Sequence, residues 1–323
     1  MARKIKKIGI FTSGGDAPGM NANVRAAVRT SLDKGIEAYG IIGGYAGMIE
    51  GHIRKIGRKE TANIIGRGGT ILKTSRSKEF HHKGARAAAF ENIKDAGIDA
   101  LIACGGEGTF HGANALWEEH NIPVVGTPGT IDNDLFGTDF TIGYDTAINT
   151  CAEAIDRIRD TAGSHGRVFI VEVMGRHAGF IAMDVGVACG AEFIAVPETI
   201  TNTEILYQRI LKQGEQKRTI IIAGEGDELG GANDLADILK DKYDISAKVT
   251  ILGHIQRGGN PTVRDRVLAS RLGMEAVYAL IDGKTDCMVG EVENKIVYTS
   301  FRETWEKKSK LWDHLIELSD ILA

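Results

Sequence analysis

ALIACGGEGTFHGANAL, residues 100 to 116, is an apolar run that breaks into Gly105-Gly106-Glu107-Gly108-Thr109 and then turns helical. A short apolar strand closing on glycines directly before a helix reads as a βα unit of a parallel sheet, whose ligands lie beyond the carboxyl ends of the strands. Glycines at that point let backbone N–H groups approach a ligand closely, and the helix that follows turns its positive end toward a bound anion. The acid and the hydroxyl set among them suit phosphate oxygens bridged by a cation.

The same alternation extends along the chain. Candidate strands are IGIF (8–11), AYGII (38–42), ALIAC (100–104), VVG (124–126), VFIVEV (168–173), FIAV (193–196), TIIIA (219–223) and KVTIL (248–252). Amphipathic stretches lie between them, among them 21–35, 84–97, 144–162 and 203–214, several of which stop at a glycine. Strands joined by crossover helices predict an α/β fold with mostly parallel sheets covered on both faces. With 323 residues the chain exceeds one comfortable hydrophobic core, so two domains, or one domain with a large insertion, are expected. No Ser/Gly/Pro tract marks a linker, which points to domains sharing more than one chain crossing.

Composition narrows the function. Hydrophobic residues make up 43% and charged residues 25%, as in a soluble globular protein. Lys+Arg 39 against Asp+Glu 43 gives a formal net charge of -4, with no general attraction to nucleic acid, so an anionic ligand needs local clusters. The N-terminal apolar run is too short for a signal peptide, and no run of 18 apolar residues suggests a membrane span. The four cysteines, Cys104, Cys151, Cys189 and Cys287, lack metal-ligand spacing and suit reduced thiols in a cytoplasmic protein.

Chemistry is expected in the loops after the strands. Loops 12–19 and 105–112 together suggest a polyphosphate cradle, although Gly-Gly also makes an ordinary tight βα turn. Neither is a Walker motif, since the only Gly-Lys-Thr, at 283–285, has Tyr278 where the first glycine belongs. Residues 106–112 and 224–230 each approximate a dinucleotide fingerprint with one residue too many. In Thr130-Ile131-Asp132-Asn133-Asp134 two carboxylates stand two apart, which suits a hydroxyl-activating base with a second group that orients it or assists a metal, or else a solvated Asx turn. Arg167, Arg176, His254 and Arg257 all fall at or just after predicted strand ends and would converge on a phosphorylated substrate.

Taken together, TSGGDAPGMNA, RGGTIL, GGEGT, PGTIDND, GTDFTIGYDTA, DRIRDTA, EVMGRHAG, LGHIQRGG and PTVRDRVLASRLG closely resemble, in order and over nearly the whole chain, the bacterial-type ATP-dependent 6-phosphofructokinases. The resemblance implies Mg2+-assisted transfer of the γ-phosphoryl group of ATP to the 1-hydroxyl of fructose 6-phosphate. It also implies a cytoplasmic homotetramer of two-domain subunits, with the active site in the cleft between the domains. Residues 1–139 plus about 257–303 would bind nucleotide, and 140–256 plus about 304–323 would bind the sugar phosphate.

Carried over residue by residue, Asp132 resembles the base, with Thr130 beside it and Arg76 and Arg176 offsetting charge. Gly15, Tyr45, Arg76, Ser77, Gly106, Glu107, Gly108, Thr109 and Gly112 match ATP contacts, with Glu107 next to the metal. Thr130, Ile131, Asp132, Asp134, Arg167, Met174, Gly175, Arg176, Glu225, Lys248, His254, Ile255, Gln256 and Arg257 match substrate contacts, Arg167 and Lys248 reaching in from a neighbouring subunit. Arg25, Arg29, Arg159, Gly190, Ala191, Glu192, Lys217 and Arg218 match an ADP effector site.

Several positions depart from the family pattern. Glu107 stands where an aspartate is usual and Lys248 where an arginine is usual, while Gly214 and Asn63 replace an arginine and an acid of the effector site. Gly108 and Gly129 favour ATP over pyrophosphate, because pyrophosphate-dependent relatives tend to carry an acid and a lysine there. The rival readings are a pyrophosphate-dependent phosphofructokinase, a nicotinamide-dependent dehydrogenase, and a catalytically inactive sugar-phosphate sensor.

Overall fold

Every residue of Ala100–Gly105 is buried, as a strand covered by helices on both faces requires. The computed structural model describes residues 5–165, 167–212 and 219–322. In chain order the strands are β1 (Lys7–Thr12), β2 (Glu37–Ile41), β3 (Ile53–Ile56), β4 (Ala100–Gly105), β5 (Val124–Pro128), β6 (Val168–Val173), β7 (Phe193–Ala195), β8 (Thr219–Gly224), β9 (Ala247–Ile251), β10 (Cys287–Val292) and β11 (Lys295–Ser300). The α-helices are α1 (Met20–Asp33), α2 (Gly44–Ile49), α3 (Lys83–Asp95), α4 (Glu107–His120), α5 (Tyr144–His165), α6 (Phe180–Ala188), α7 (Thr203–Lys212), α8 (Ala232–Tyr243), α9 (Val263–Ile281), α10 (Phe301–Glu306) and α11 (Asp313–Leu322). The chain divides into unit 1, comprising Met1–Ile131, Leu135–Asp145 and Arg257–Ser309, and unit 2, comprising Asp132–Asp134, Thr146–Gln256 and Lys310–Ala323.

Unit 1 holds a seven-stranded sheet in the order β11-β10-β5-β4-β1-β2-β3. From β1 the chain proceeds outward to β2, then returns to place β4 on the other side of β1. That reversal opens a crevice outside the carboxyl ends of β1 and β4, the place where open α/β sheets bind ligands. The core beneath it includes Phe11, Leu101, Phe110, Leu116 and Phe301, all fully buried. Phe110 stacks on Phe301 at a centroid distance of 5.0 Å, which ties α4 to α10.

The sheet is not wholly parallel. β3 runs antiparallel to β2, and β11 runs antiparallel to β10, so each edge carries a strand that the sequence pattern did not announce. The β10–β11 hairpin closes at Val292↔Lys295, leaving Glu293 and Asn294 as a two-residue loop. Both have positive φ, 50° and 62°, as a turn matched to the strand twist demands. Its first loop residue is a glutamate rather than the usual Asn or Gly, which hid the hairpin.

Unit 2 carries a four-stranded, all-parallel sheet in the order β7-β8-β6-β9. Val168, Ile170, Ile221, Leu206, Leu235 and Leu239 form its core between the sheet, α7 and α8. The loops after β6, β8 and β9 therefore emerge at one end of this sheet.

Candidate active site

At the β1/β4 crevice the two glycine loops are joined directly. Ser13 donates its backbone N–H to the Cys104 carbonyl at 3.1 Å. A Cβ on Gly105 would lie 2.2 Å from Thr109 Oγ1 and 2.6 Å from the Ser13 carbonyl, so only glycine permits this closeness. Helix α4 starts at Glu107, and the space where a Gly108 side chain would point is empty for 4 Å. The crevice thus offers close backbone approach and a helix N-terminus, the chemistry of an anion site.

A third loop is stitched to the first, to Asn21 and to the turn after β2 by hydroxyl and amide side chains. Thr12 Oγ1 donates to the Lys73 carbonyl at 2.9 Å, Thr74 Oγ1 to Gly14 at 2.7 Å and Ser75 Oγ to Gly43 at 2.7 Å. Asn21 holds the same segment through the carbonyl of Arg67 and the N–H of Ile71. These contacts deliver Arg76 and Ser77; Arg76 is exposed, and Ser77 Oγ accepts the N–H of Phe80. Arg257 lies against Gly15, where a Cβ would meet its Nη1 at 2.6 Å.

Tyr45 is placed differently from an exposed nucleotide contact. Its ring stacks on Phe80 with centroids 4.0 Å apart, and its hydroxyl donates to the Thr109 carbonyl at 2.5 Å. A Cβ on Gly112 would meet the ring at 2.6 Å, so Tyr45 supports the first turns of α4 from below. Burial pushes its phenol well above the ordinary value, and it stays a neutral hydrogen-bond donor.

Glu107 is half-exposed, with Oε1 standing 3.4 Å from Nε2 of His111 one turn along α4. His111 in turn stacks on Trp305 at 3.8 Å. Among the described residues no group of three or more His, Cys, Asp or Glu side chains is arranged to hold a metal ion. A carboxylate at the start of a helix next to a glycine loop nevertheless suits magnesium, which keeps several waters and takes one or two carboxylates together with substrate phosphates.

Beyond β5, Gly129 donates its N–H to Gly105 at 3.0 Å, and Thr141 Oγ1 donates to the Thr130 carbonyl at 2.6 Å. Ile131 is buried. The next residue, Asp132, already belongs to unit 2, where it is 2% exposed and its Oδ2 lies 3.4 Å from Nε of Arg176. Asp134 is only partly buried. Arg176 itself adopts φ 55°, a left-handed conformation uncommon for a bulky residue. Its N–H is held by Glu225 Oε1 at 2.8 Å.

Met174, Gly175 and Arg176 follow β6, Glu225 follows β8, and His254, Ile255 and Gln256 follow β9, so these expected residues do gather at the carboxyl end of the unit 2 sheet. Gln256 is wholly buried. Its Oε1 accepts from the Met174 N–H and from the Cys151 thiol, both at 3.1 Å, and its Nε2 donates to the Gly253 carbonyl at 3.0 Å. The side chain therefore fixes loops rather than meeting a ligand. Its neighbour Cys151 is pushed up to about 12 by burial.

Two basic residues stand elsewhere. Arg167 precedes β6, and Lys248 pairs with Phe169 near the start of β9. Both are exposed at the amino end of the sheet, so Arg167 does not sit with Arg176 and His254 as its position near a strand end had suggested. At about 3.3 Å per residue, roughly five residues of strand separate the two ends by about 16 Å, beyond the reach of either side chain to the loops of its own sheet.

Of the effector candidates, Arg25 and Arg29 lie one turn apart on α1; burial and then Arg29 lower Arg25 below the usual arginine range. In unit 2, Arg159 donates to the carbonyls of Cys189 and Gly190 at 2.6 and 2.8 Å, with Nη1 3.8 Å from Glu192. Ala191 is buried beside them. Asn63 is exposed with φ 57°. Lys217, Arg218 and Gly214 lie outside the described residues.

Sequence reasoning missed Thr201, Glu198 and Asp227, which bind the loops after β6 and β8 and are polar residues in otherwise unremarkable turns. It also missed His111 and Trp305, far apart in sequence.

A family profile described as phosphofructokinase matches residues 7–280. ATP-dependent 6-phosphofructokinase 1 of Thermus thermophilus is 54% identical over 322 residues, covering 99% of this chain and 100% of that protein. ATP-dependent 6-phosphofructokinase of Cytophaga hutchinsonii is 48% identical over 322 residues, covering 98% of each. The crystal structure of Pichia pastoris phosphofructokinase in the T-state superposes with a TM-score of 0.86 at 36% identity, over 94% of this chain and 35% of that longer one.

Proposed function

The chain belongs to the phosphofructokinase family, and on that premise we infer that it transfers the γ-phosphoryl group of ATP to the 1-hydroxyl of D-fructose 6-phosphate, giving fructose 1,6-bisphosphate and ADP in glycolysis. The observation that carries this reading is the buried Asp132 carboxylate held beside the exposed Arg176 guanidinium, a base and a charge-neutralising group side by side. Phosphoryl transfer asks mainly for alignment and neutralisation of charge, which this kit supplies.

In this reading unit 1 binds ATP. The backbone around Gly15, Gly106, Gly108 and Thr109 cradles the phosphates, and Arg76 and Ser77 are presented by the stitched third loop. Tyr45 and Gly112 shape the support beneath them. Glu107 would hold Mg2+, which would supply positive charge to offset that of the phosphates. Unit 2 binds the sugar phosphate through Asp132, Met174, Gly175, Arg176, Glu225, His254 and Ile255, while Gln256 sets the loops. Asp132 accepts the proton of the attacking hydroxyl, and Arg176 steadies the charge that develops on the transferring group. Of the remaining proposed substrate contacts, Asp134 belongs to unit 2 and Thr130 and Arg257 to unit 1.

ATP rather than pyrophosphate as donor is supported at two glycines. A Cβ on Gly129 would meet Cys104 Sγ at 2.8 Å and Met20 Cε at 3.1 Å, leaving no place for a lysine. Gly108 borders open space, with no acid to repel a nucleotide.

The amino-end placement of Arg167 and Lys248 fits an assembly in which they serve a neighbouring subunit's site, and we read the protein as a homotetramer. The Arg25–Arg29 pair in unit 1 and, separately, Arg159 in unit 2 are read as ADP contacts. No helix among the described residues is long and apolar enough to cross a membrane, and a cytoplasmic location follows from the proposed glycolytic role. A coupled assay with fructose 6-phosphate, comparing ATP with pyrophosphate, tests the function. Turnover with pyrophosphate alone would replace the donor, and no turnover with either would remove the kinase reading.

A further inference from the structure

The connection between β7 and α7 grips two of the loops that carry proposed sugar-phosphate residues, those after β6 and β8. Both carboxylate oxygens of Glu198 accept the N–H of Gly179, at 2.9 and 3.1 Å, where the loop after β6 enters α6. Three residues on, Thr201 Oγ1 donates to Asp227 Oδ2 at 2.7 Å, and the Thr201 N–H reaches Glu228 at 2.5 Å. Thr201 and Asp227 are 7% and 8% exposed, and the other Asp227 oxygen accepts the N–H of Leu229. Immediately before Glu198, Pro197 lies against the loop after β8, 3.3 Å from where a Cβ on Gly226 would be.

That loop is in turn pressed on Arg176. A Cβ on Gly226 would come within 1.7 Å of the Arg176 carbonyl, while Glu225 holds the Arg176 N–H from the same loop. Arg176 has φ 55°, a conformation that persists in a bulky residue only when its surroundings over-determine it. We propose that the Pro197–Thr201 connection is a positioning clamp, with Glu198, Thr201 and Asp227 as positioning residues that hold Arg176 in its left-handed conformation beside Asp132. None of the three needs to touch substrate; each acts by limiting where Arg176 can be. The proposal rests on the reading of Asp132 and Arg176 as parts of a phosphofructokinase site.

The test compares Thr201→Val, which deletes the hydroxyl at nearly constant shape, with Thr201→Ser, which keeps it. Steady-state kinetics are measured for both substrates, and fructose 6-phosphate binding is measured by calorimetry without ATP. Thr201→Val lowers kcat/KM for fructose 6-phosphate about tenfold, the scale of one buried hydrogen bond with its acceptor left unmet, while Thr201→Ser stays within about twofold. The KM for ATP stays within about twofold in both, since positioning of Arg176 concerns the sugar-phosphate side.

The readout that a merely structural role would not produce is non-additivity. In an Arg176→Ala background, Thr201→Val costs less than about twofold, because the residue it positions is already gone. Glu198→Ala, at an exposed side chain and so tolerated by the fold, shows the same direction and the same dependence on Arg176. Equal losses in both backgrounds, or parent kinetics in Thr201→Val and Glu198→Ala, overturn the clamp while leaving the kinase reading intact. A parent protein that does not turn over fructose 6-phosphate with ATP overturns the functional reading and the clamp with it.

Discussion

Gly226→Ala is the smallest perturbation that should disable the proposed site. Gly226 does not have positive φ, so alanine meets no backbone penalty, and the whole cost is steric. The new Cβ would stand 1.7 Å from the Arg176 carbonyl, against the 3.0 Å below which real Cβ atoms essentially never come. The loop and Arg176 must therefore part by about 1.3 Å, and a misplacement of about 1 Å in a positioned group can cost on the order of 10²-fold in rate. Relief by movement of the other loop wall is opposed by Pro197, 3.3 Å from the same Cβ, so the displacement falls largely on Arg176. The Arg176–Asp132 distance of 3.4 Å is what the shift would spoil. We expect kcat to fall about 10²-fold and KM for fructose 6-phosphate to rise, with KM for ATP unchanged, in a protein whose thermal unfolding remains cooperative. Steady-state kinetics with each substrate varied in turn, alongside a melting curve, decide the matter. A folded Gly226→Ala protein with kcat within threefold (about 0.65 kcal/mol) of the parent would show that Arg176 need not be held where it is.

Asp132→Asn should lower kcat by about 10²–10⁴ with fructose 6-phosphate affinity largely intact, as expected for loss of a positioned base; a variant within tenfold of the parent by the coupled assay would remove Asp132 from that role. Glu107→Asp should stay within about tenfold of the parent, whereas Glu107→Gln should lose more and require more magnesium, because it removes the charge proposed to hold the cation. The lost pairing with His111 and the helix N-terminus together contribute only about 1 kcal/mol, so the melting curve should shift little. Identical magnesium titrations for the two Glu107 variants would reduce the acid to a turn residue. Arg167→Ala and Lys248→Ala should each raise KM for fructose 6-phosphate, and dilution to monomers, followed by light scattering, should abolish activity; a fully active monomer would end the neighbouring-subunit reading.

What the sequence determined by itself was local. Apolar runs such as 100–104 and 219–223 became wholly buried parallel strands because a strand covered on both faces needs side chains that can be buried at every position. Glycines at the ends of β1 and β4 marked the crevice because only they allow Gly105 to approach Ser13 and Thr109 so closely. Family likeness, carried by ordered motifs over nearly the whole chain, was legible because many of the motifs, such as GGEGT and EVMGRHAG, are local loops at strand ends.

Relations between loops were decided only by tertiary structure. Thr201 and Asp227 are ordinary polar residues until β7 and β8 become neighbours and bring their loops into hydrogen-bonding range. Gln256 reads as one more polar residue of a substrate motif, yet burial commits both ends of its amide to Met174, Cys151 and Gly253. Arg167 and Arg176 flank the same strand, and only its direction within a parallel sheet shows that one lies at the amino end and the other among the loops. Hydrophobic pattern specifies that a segment is a strand and which positions are covered; which loops meet depends on strand order, a property of contacts between residues far apart in sequence that no local pattern encodes.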